Sequence, residues 1–168
     1  MMKTEESMRR EILKLLEANA NIAPKAIAEM TGLAEAEVVS EIDQMTKDGI
    51  ICGSSAIINW DKADKTTVTA LIEVKVTPQR GDGFDKIAQR IYRNDEVRAV
   101  FLMSGGYDLC VMVEGKDIKE VSMFVSDKLA RINDVISTAT HFVLKNYKDH
   151  GIIMDEQKSW DERKSIWI

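Results

Sequence analysis

Val97-Arg98-Ala99-Val100-Phe101-Leu102-Met103-Ser104-Gly105-Gly106-Tyr107-Asp108-Leu109-Cys110-Val111-Met112-Val113 is where the chain declares its architecture. The two flanks are apolar and rich in β-branched residues, so each reads as a strand. A Gly-Gly step between two such strands makes a hairpin, and glycine there accepts positive φ and leaves the backbone bare. Exposed amides beside the carboxylate of Asp108 suit a small zwitterion such as an amino acid. The plainer alternative is a tight turn with a solvated Asp.

Outward from the hairpin the pattern is regular. Upstream, Val68, Ala70, Ile72, Val74 and Val76 alternate with Thr67, Thr69, Leu71, Glu73 and Lys75, a strand over 66–77 with one apolar face. Phe84, Ile87, Ala88 and Ile91 then follow helical spacing. Downstream, Asp117 is a good N-cap for a helix carrying Ile118, Val121, Phe124, Val125 and Leu129. Residues 134–144 read as a fourth strand. Strand, helix, strand, strand, helix, strand is the ferredoxin-like βαββαβ order, an antiparallel sheet with helices on one face. The other face stays open in a single chain, which predicts pairing with a second copy.

The first sixty residues follow a different period. Met8, Ile12, Leu15 and Leu16 mark a helix over 7–18, with Thr4 as its cap. Pro24 opens a short second helix, Thr31-Gly32 stops it, and Val38, Ile42 and Met45 mark a third over 34–47. Ile50-Ile51-Cys52 and residues 54–60 read as paired strands. That order is a winged helix-turn-helix, which places its second motif helix in the major groove of duplex DNA. The charge runs against it: residues 1–60 hold 6 Lys and Arg against 10 Asp and Glu, and phosphate contacts normally use Lys and Arg. Lys25, Ser40, Gln44 and Lys47 are the best candidates for touching DNA, because Ser and Gln can contact base edges or phosphates without carrying charge.

The fold class is therefore α+β, divided into a DNA-binding domain over 1–60, a charged linker over 61–66, a ligand-binding and oligomerisation domain over 67–147 and a C-terminal extension over 148–168. Its 168 residues, 45% hydrophobic and 30% charged, are ordinary for a soluble globular protein. The polar N-terminus has no signal-peptide core and no apolar run is long enough to span a membrane, so the expected compartment is the cytoplasm. Cys52 and Cys110 form no C-x-x-C and are expected to be reduced and buried.

Both halves together resemble the Lrp/AsnC (feast/famine) family of prokaryotic transcriptional regulators, across roughly residues 7–150. The resemblance rests on Leu33 through Ile51, ending Lys47-Asp48-Gly49-Ile50-Ile51; on Ser104-Gly105-Gly106-Tyr107-Asp108; and on Val135-Ile136-Ser137-Thr138-Ala139-Thr140. Within the family, the chain resembles an alanine-responsive branch. The family implies DNA binding through the winged helix-turn-helix, homodimers that often assemble further into octamers, and an amino-acid effector bound between effector domains. Carried over, the effector residues are Ser104, Gly105, Gly106, Tyr107, Asp108, Thr138 and Thr140. The chain departs from the family where its third helix usually begins with a Ser or Thr cap and carries arginines. Ala34, Ala36 and Glu37 stand near that cap, and Ser40, Glu41 and Gln44 occupy the basic positions.

Other chemistry finds little support. No nucleophile elbow, phosphate loop or dinucleotide motif is present, so an enzyme is not expected. His141, Asp149 and His150 lack a recognised metal-ligand spacing, and neither a metal nor a cofactor is expected beyond the effector. An amino-acid-sensing assembly protein with weak or lost DNA binding remains the alternative, kept open by the acidic third helix.

Overall fold

A computed structural model describes residues 5–63, 67–77 and 83–154 of the chain. Thr4, most of the loop after the first strand, and Trp160 and Trp167 of the C-terminal extension lie outside them. The chain divides into two compact units between Ala56 and Ile57.

The first unit holds α1 (Glu5–Ala18), α2 (Pro24–Thr31) and α3 (Glu35–Lys47). Pro24 sits at the start of α2, where its missing N–H costs nothing. Gly32 ends α2 with a left-handed φ of 76° and donates its N–H to Ala28 O at 2.8 Å, a conformation that would strain a side chain. Ile12, Ile27, Val38 and Met45 are fully buried where the three helices meet, each contributing about 1.5–3 kcal/mol of hydrophobic stabilisation. Ala34 precedes α3 without a side-chain cap.

The expected wing strands do not form. Ile50 and Ile51 both donate their N–H groups to Met45 O, closing the end of α3, and residues 52–59 have no regular structure. A two-stranded ribbon this short has too little to bury and is marginal by itself. Cys52 is exposed and Cys110 half-buried, so neither cysteine is the buried residue expected; both are free thiols.

The second unit contains β1 (Val68–Val76), α4 (Asp85–Tyr92), β2 (Val97–Leu102), β3 (Leu109–Gly115), α5 (Ile118–Phe124) and β4 (Val135–Phe142). The sheet is antiparallel in the order β2-β3-β1-β4, the ferredoxin-like arrangement. Ala70, Ile72, Val74 and Val76 pack with Val111 and Val113 beneath Ile87, Ile91, Val121 and Phe124 of the two helices. Leu71, Glu73, Cys110, Met112 and Phe101 alternate onto the opposite, open face, where Phe101 is 52% exposed. Asp117 caps α5 by accepting from Glu120 N at 2.7 Å. A π-helical turn, Val125–Leu129, continues α5. Gly115 sits closely against this junction: a Cβ there would lie 3.0 Å from Val121 Cγ2, tighter than an ordinary contact.

One element was not expected. In the polar stretch after β4, β5 (Lys148–Asp149) and β6 (Ile152–Ile153) form a small hairpin. Its turn residues His150 and Gly151 both have positive φ, as a mirror-image two-residue turn requires. Asn59 Nδ2 donates to Met154 O at 2.6 Å and ties residue 59 to this hairpin.

Candidate functional site

The β2–β3 hairpin presents Ser104, Gly105 and Gly106 to solvent, with Tyr107 and Asp108 half-buried behind them. Neither glycine has positive φ. A Cβ added to either would meet nothing within 4 Å, so these glycines leave an outward-facing bare backbone rather than resolving a crowded turn.

Asp108 does structural work as well. Its N–H donates to Val74 O at 3.1 Å, its carbonyl accepts from Met103 N at 2.8 Å, and its Oδ2 accepts from Val76 N at 2.9 Å. The ladder between β1 and β3 ends at Val74 and Leu109. Val76 N therefore faces a place where β3 has already turned away, and the Asp108 carboxylate supplies the missing acceptor. Oδ1 has no partner among the described residues. Partial burial of the Tyr107 ring, with Cys110 and Glu73 nearby, raises the phenol above its usual range.

Thr138 and Thr140 pair with Val74 and Ile72. Paired residues share a face, so both threonines lie half-buried on the helix-covered side. Thr138 is two strands from β3, about 10 Å away. A single chain thus groups Ser104 through Asp108 at one end of the sheet and does not bring the threonine hydroxyls onto the hairpin.

On the first unit, Ser40, Gln44 and Lys47 fall at i, i+4 and i+7 and form one exposed stripe along α3, while Lys25 is exposed at the start of α2. Gln44 Nε2 donates to Asp48 Oδ1 at 2.8 Å, which fixes the amide on that stripe. Glu41 is not a free acid on the outer face: Arg9 of α1 pairs with it at 2.7 Å, and both are only about a quarter exposed. Glu37 and Asp43 remain on the exposed side. Sequence spacing signalled the stripe but not the Arg9 pairing, which joins residues 32 positions apart. Among the described residues no cluster of three metal-ligating side chains exists, and no helix is long and apolar enough to cross a membrane.

The Lrp/AsnC ligand binding domain family matches residues 69–153, taking in the β5–β6 hairpin, and a winged helix-turn-helix DNA-binding family matches residues 6–51. The chain is 48% identical over 159 residues to the uncharacterized HTH-type transcriptional regulator YugG of Bacillus subtilis, covering 94% of each chain. It is 29% identical over 140 residues to the HTH-type transcriptional regulator FL11 of Pyrococcus abyssi, covering 83% of this chain and 89% of that one. Two solved structures share the fold. One is AsnC of E. coli, with a TM-score of 0.63 and 21% identity over 88% of this chain and 97% of that one. The other is a Neisseria meningitidis transcriptional regulator in complex with L-Met, with a TM-score of 0.67 and 22% identity over 87% and 94%. These matches do not separate an alanine-responsive branch from the rest. A helix-turn-helix unit joined to this ligand-binding domain, matched end to end by regulators rather than enzymes, makes the chain a member of the Lrp/AsnC family of DNA-binding transcriptional regulators.

Proposed function

We propose that this regulator senses an amino acid held at the β2–β3 hairpin between subunits, and that the ligand acts by shifting how subunits assemble. The observation that carries the reading is the hairpin itself: two exposed glycines with open space where side chains would be, next to a carboxylate oxygen without a partner among the described residues. Bare amides can hold a ligand carboxylate, and Asp108 Oδ1 can take its ammonium in a charge-assisted bond. Thr138 and Thr140 join such a site only through rearrangement or a neighbouring subunit, which is why the reading places it between chains. The L-methionine in the Neisseria structure is a ligand of the same chemical class.

Homodimers form by pairing the open sheet faces, and dimers assemble further into octamers. A ligand that binds one assembly better shifts the population toward it and changes the spacing of the attached DNA-binding units. Lys25, Ser40, Gln44 and Lys47 contact the duplex in this reading, and the protein works in the cytoplasm, where its DNA and its metabolite meet.

The test is calorimetric titration of the full chain with the twenty amino acids, alanine included, followed by Asp108→Asn and Gly106→Val. Asn keeps an oxygen for Val76 N while removing the charge, and Gly106→Val enters open space, so both variants stay folded. One or a few amino acids should bind the wild type and lose affinity in both variants. Normal binding by the variants would put the ligand elsewhere, and no binding by the wild type would reduce the hairpin to a turn.

A further inference from the structure

The β5–β6 hairpin carries an apolar face that is still open. Its two pairs, Lys148 with Ile153 and Asp149 with Ile152, are extended by one rung where Met154 N donates to Tyr147 O at 3.0 Å. Opposed residues share a face and successive pairs alternate. Tyr147, Met154, Asp149 and Ile152 therefore lie on one side, and Lys148 and Ile153 on the other. Three of the four residues on the first side are apolar. Tyr147 is 65% exposed, Ile152 is 52% exposed and Met154 is half-buried. Asp149, the fourth, pairs with His150 at 2.7 Å. A two-stranded ribbon is marginal by itself and needs a layer packed on its apolar face. The described residues supply no such layer over Tyr147 and Ile152.

The chain itself continues from the edge of this face. Past Met154 come Asp155-Glu156-Gln157-Lys158-Ser159, all polar, and then Trp160. This stretch lies beyond the ligand-binding domain match, which ends at residue 153. A connection of this length is enough to reverse the chain, and from Met154 it spans at most about 20 Å. Ile152 is only about 7 Å back along the strand from Met154, so Trp160 is within reach of it. On its far side Trp160 is followed by Asp161-Glu162-Arg163-Lys164. The indole is thus the one large apolar group in this polar stretch. A tryptophan buries about 150–250 Å², enough to cover two exposed side chains. The short connection also holds Trp160 at an effective concentration in the mM range, about a thousandfold above a second copy at micromolar protein. Mass action therefore favours the chain's own residue over a neighbour's.

We propose that residues 155–160 fold back so that the Trp160 indole covers Tyr147 and Ile152, completing the β5–β6 hairpin from within the same chain. This contact is separate from the β2–β3 hairpin and does not depend on an effector. The experiment uses the full chain carrying Trp60→Phe and Trp167→Phe, which leaves Trp160 as its single tryptophan. Emission and acrylamide quenching then report on that side chain alone. Trp160 should emit at shorter wavelength than in the unfolded chain and be quenched several-fold less. Ile152→Asp should move the emission to longer wavelength and raise quenching toward the unfolded level. Ile118→Asp, at a similarly exposed isoleucine on α5, should change neither. Both positions are exposed, so circular dichroism should report the same fold throughout. The protection should persist on dilution from micromolar to nanomolar protein. A Trp160 as quenchable in the folded chain as in the unfolded one, indifference to Ile152→Asp, an equal effect of Ile118→Asp, or loss of protection on dilution would each overturn the proposal, the last by assigning the cover to a second copy.

Discussion

Asp108 is tied to the fold by its own side chain and is also the charged group of the proposed effector site. Its carboxylate replaces the strand partner that Val76 N lacks, so Asp108→Ala leaves a half-buried donor unsatisfied. That variant should lose about 1–3 kcal/mol in urea unfolding, while Asp108→Asn should lose much less. Equal losses would mean that the charge, not the acceptor, matters to stability. Glu96 yields a second residue-scale expectation. The Lys128 hydrogen bond holds its carboxyl below the ordinary 4.5, against the opposing effect of burial. A lowered folded pKa contributes stability that is present above pH 4.5 and lost as pH falls through the folded value. Lys128→Met should therefore be less stable than wild type by a constant amount at neutral pH. The gap should close below pH 4.5, as followed by denaturant unfolding across pH. A gap that persists at acid pH would assign the loss to packing on Phe124 instead.

At the scale of elements, α3 carries most of the proposed DNA contacts. With Glu41 paired to Arg9, the exposed stripe is neutral at Ser40 and Gln44 and basic only at Lys47. Few cations release few counterions, so the salt dependence should be shallow for a DNA-binding protein. Lys47→Ala should weaken binding to the protein's own promoter region on all sequences alike and lower the log–log salt slope by about 1. Gln44→Ala should instead change which sequences are preferred, as read by selection from random duplexes. An unchanged slope for Lys47→Ala would remove that residue from the phosphate contacts. The junction of β3 with α5 is equally specific. Gly115→Ala should cost about 1–3 kcal/mol in thermal or urea unfolding, because Val121 must give way by a few tenths of an ångström.

For the whole molecule, the open sheet face is the governing feature. Leu71, Met112 and Phe101 present apolar surface on one side of a sheet whose other side is filled by α4 and α5. If identical faces pair, Phe101→Lys introduces like charges on both sides of a two-fold interface. Sedimentation of that variant at micromolar concentration should show lighter species than wild type, with the secondary structure unchanged. A wild-type chain that sediments as a monomer would overturn pairing altogether.

Much of this protein was legible in the sequence alone. The alternation at Ala70, Ile72, Val74 and Val76, the helical spacing of Ile87 and Ile91, and the Asp117 cap are local signals, and local geometry makes them what they are. Through them the element order, the ferredoxin-like sheet and the helix-turn-helix could be read from the chain itself. Other features depended on residues far apart in the chain. The wing strands were absent because a short ribbon needs tertiary support that no periodicity records. Arg9 meeting Glu41, Asp108 reaching Val76 N, and Lys128 meeting Glu96 each join positions 32 residues apart. Thr138 and Thr140 were carried to the hairpin by resemblance, yet the strand register turned their side chains toward the helices. Register is set by pairing across the sheet, and a sequence specifies the face of each residue only once its partner strand is known.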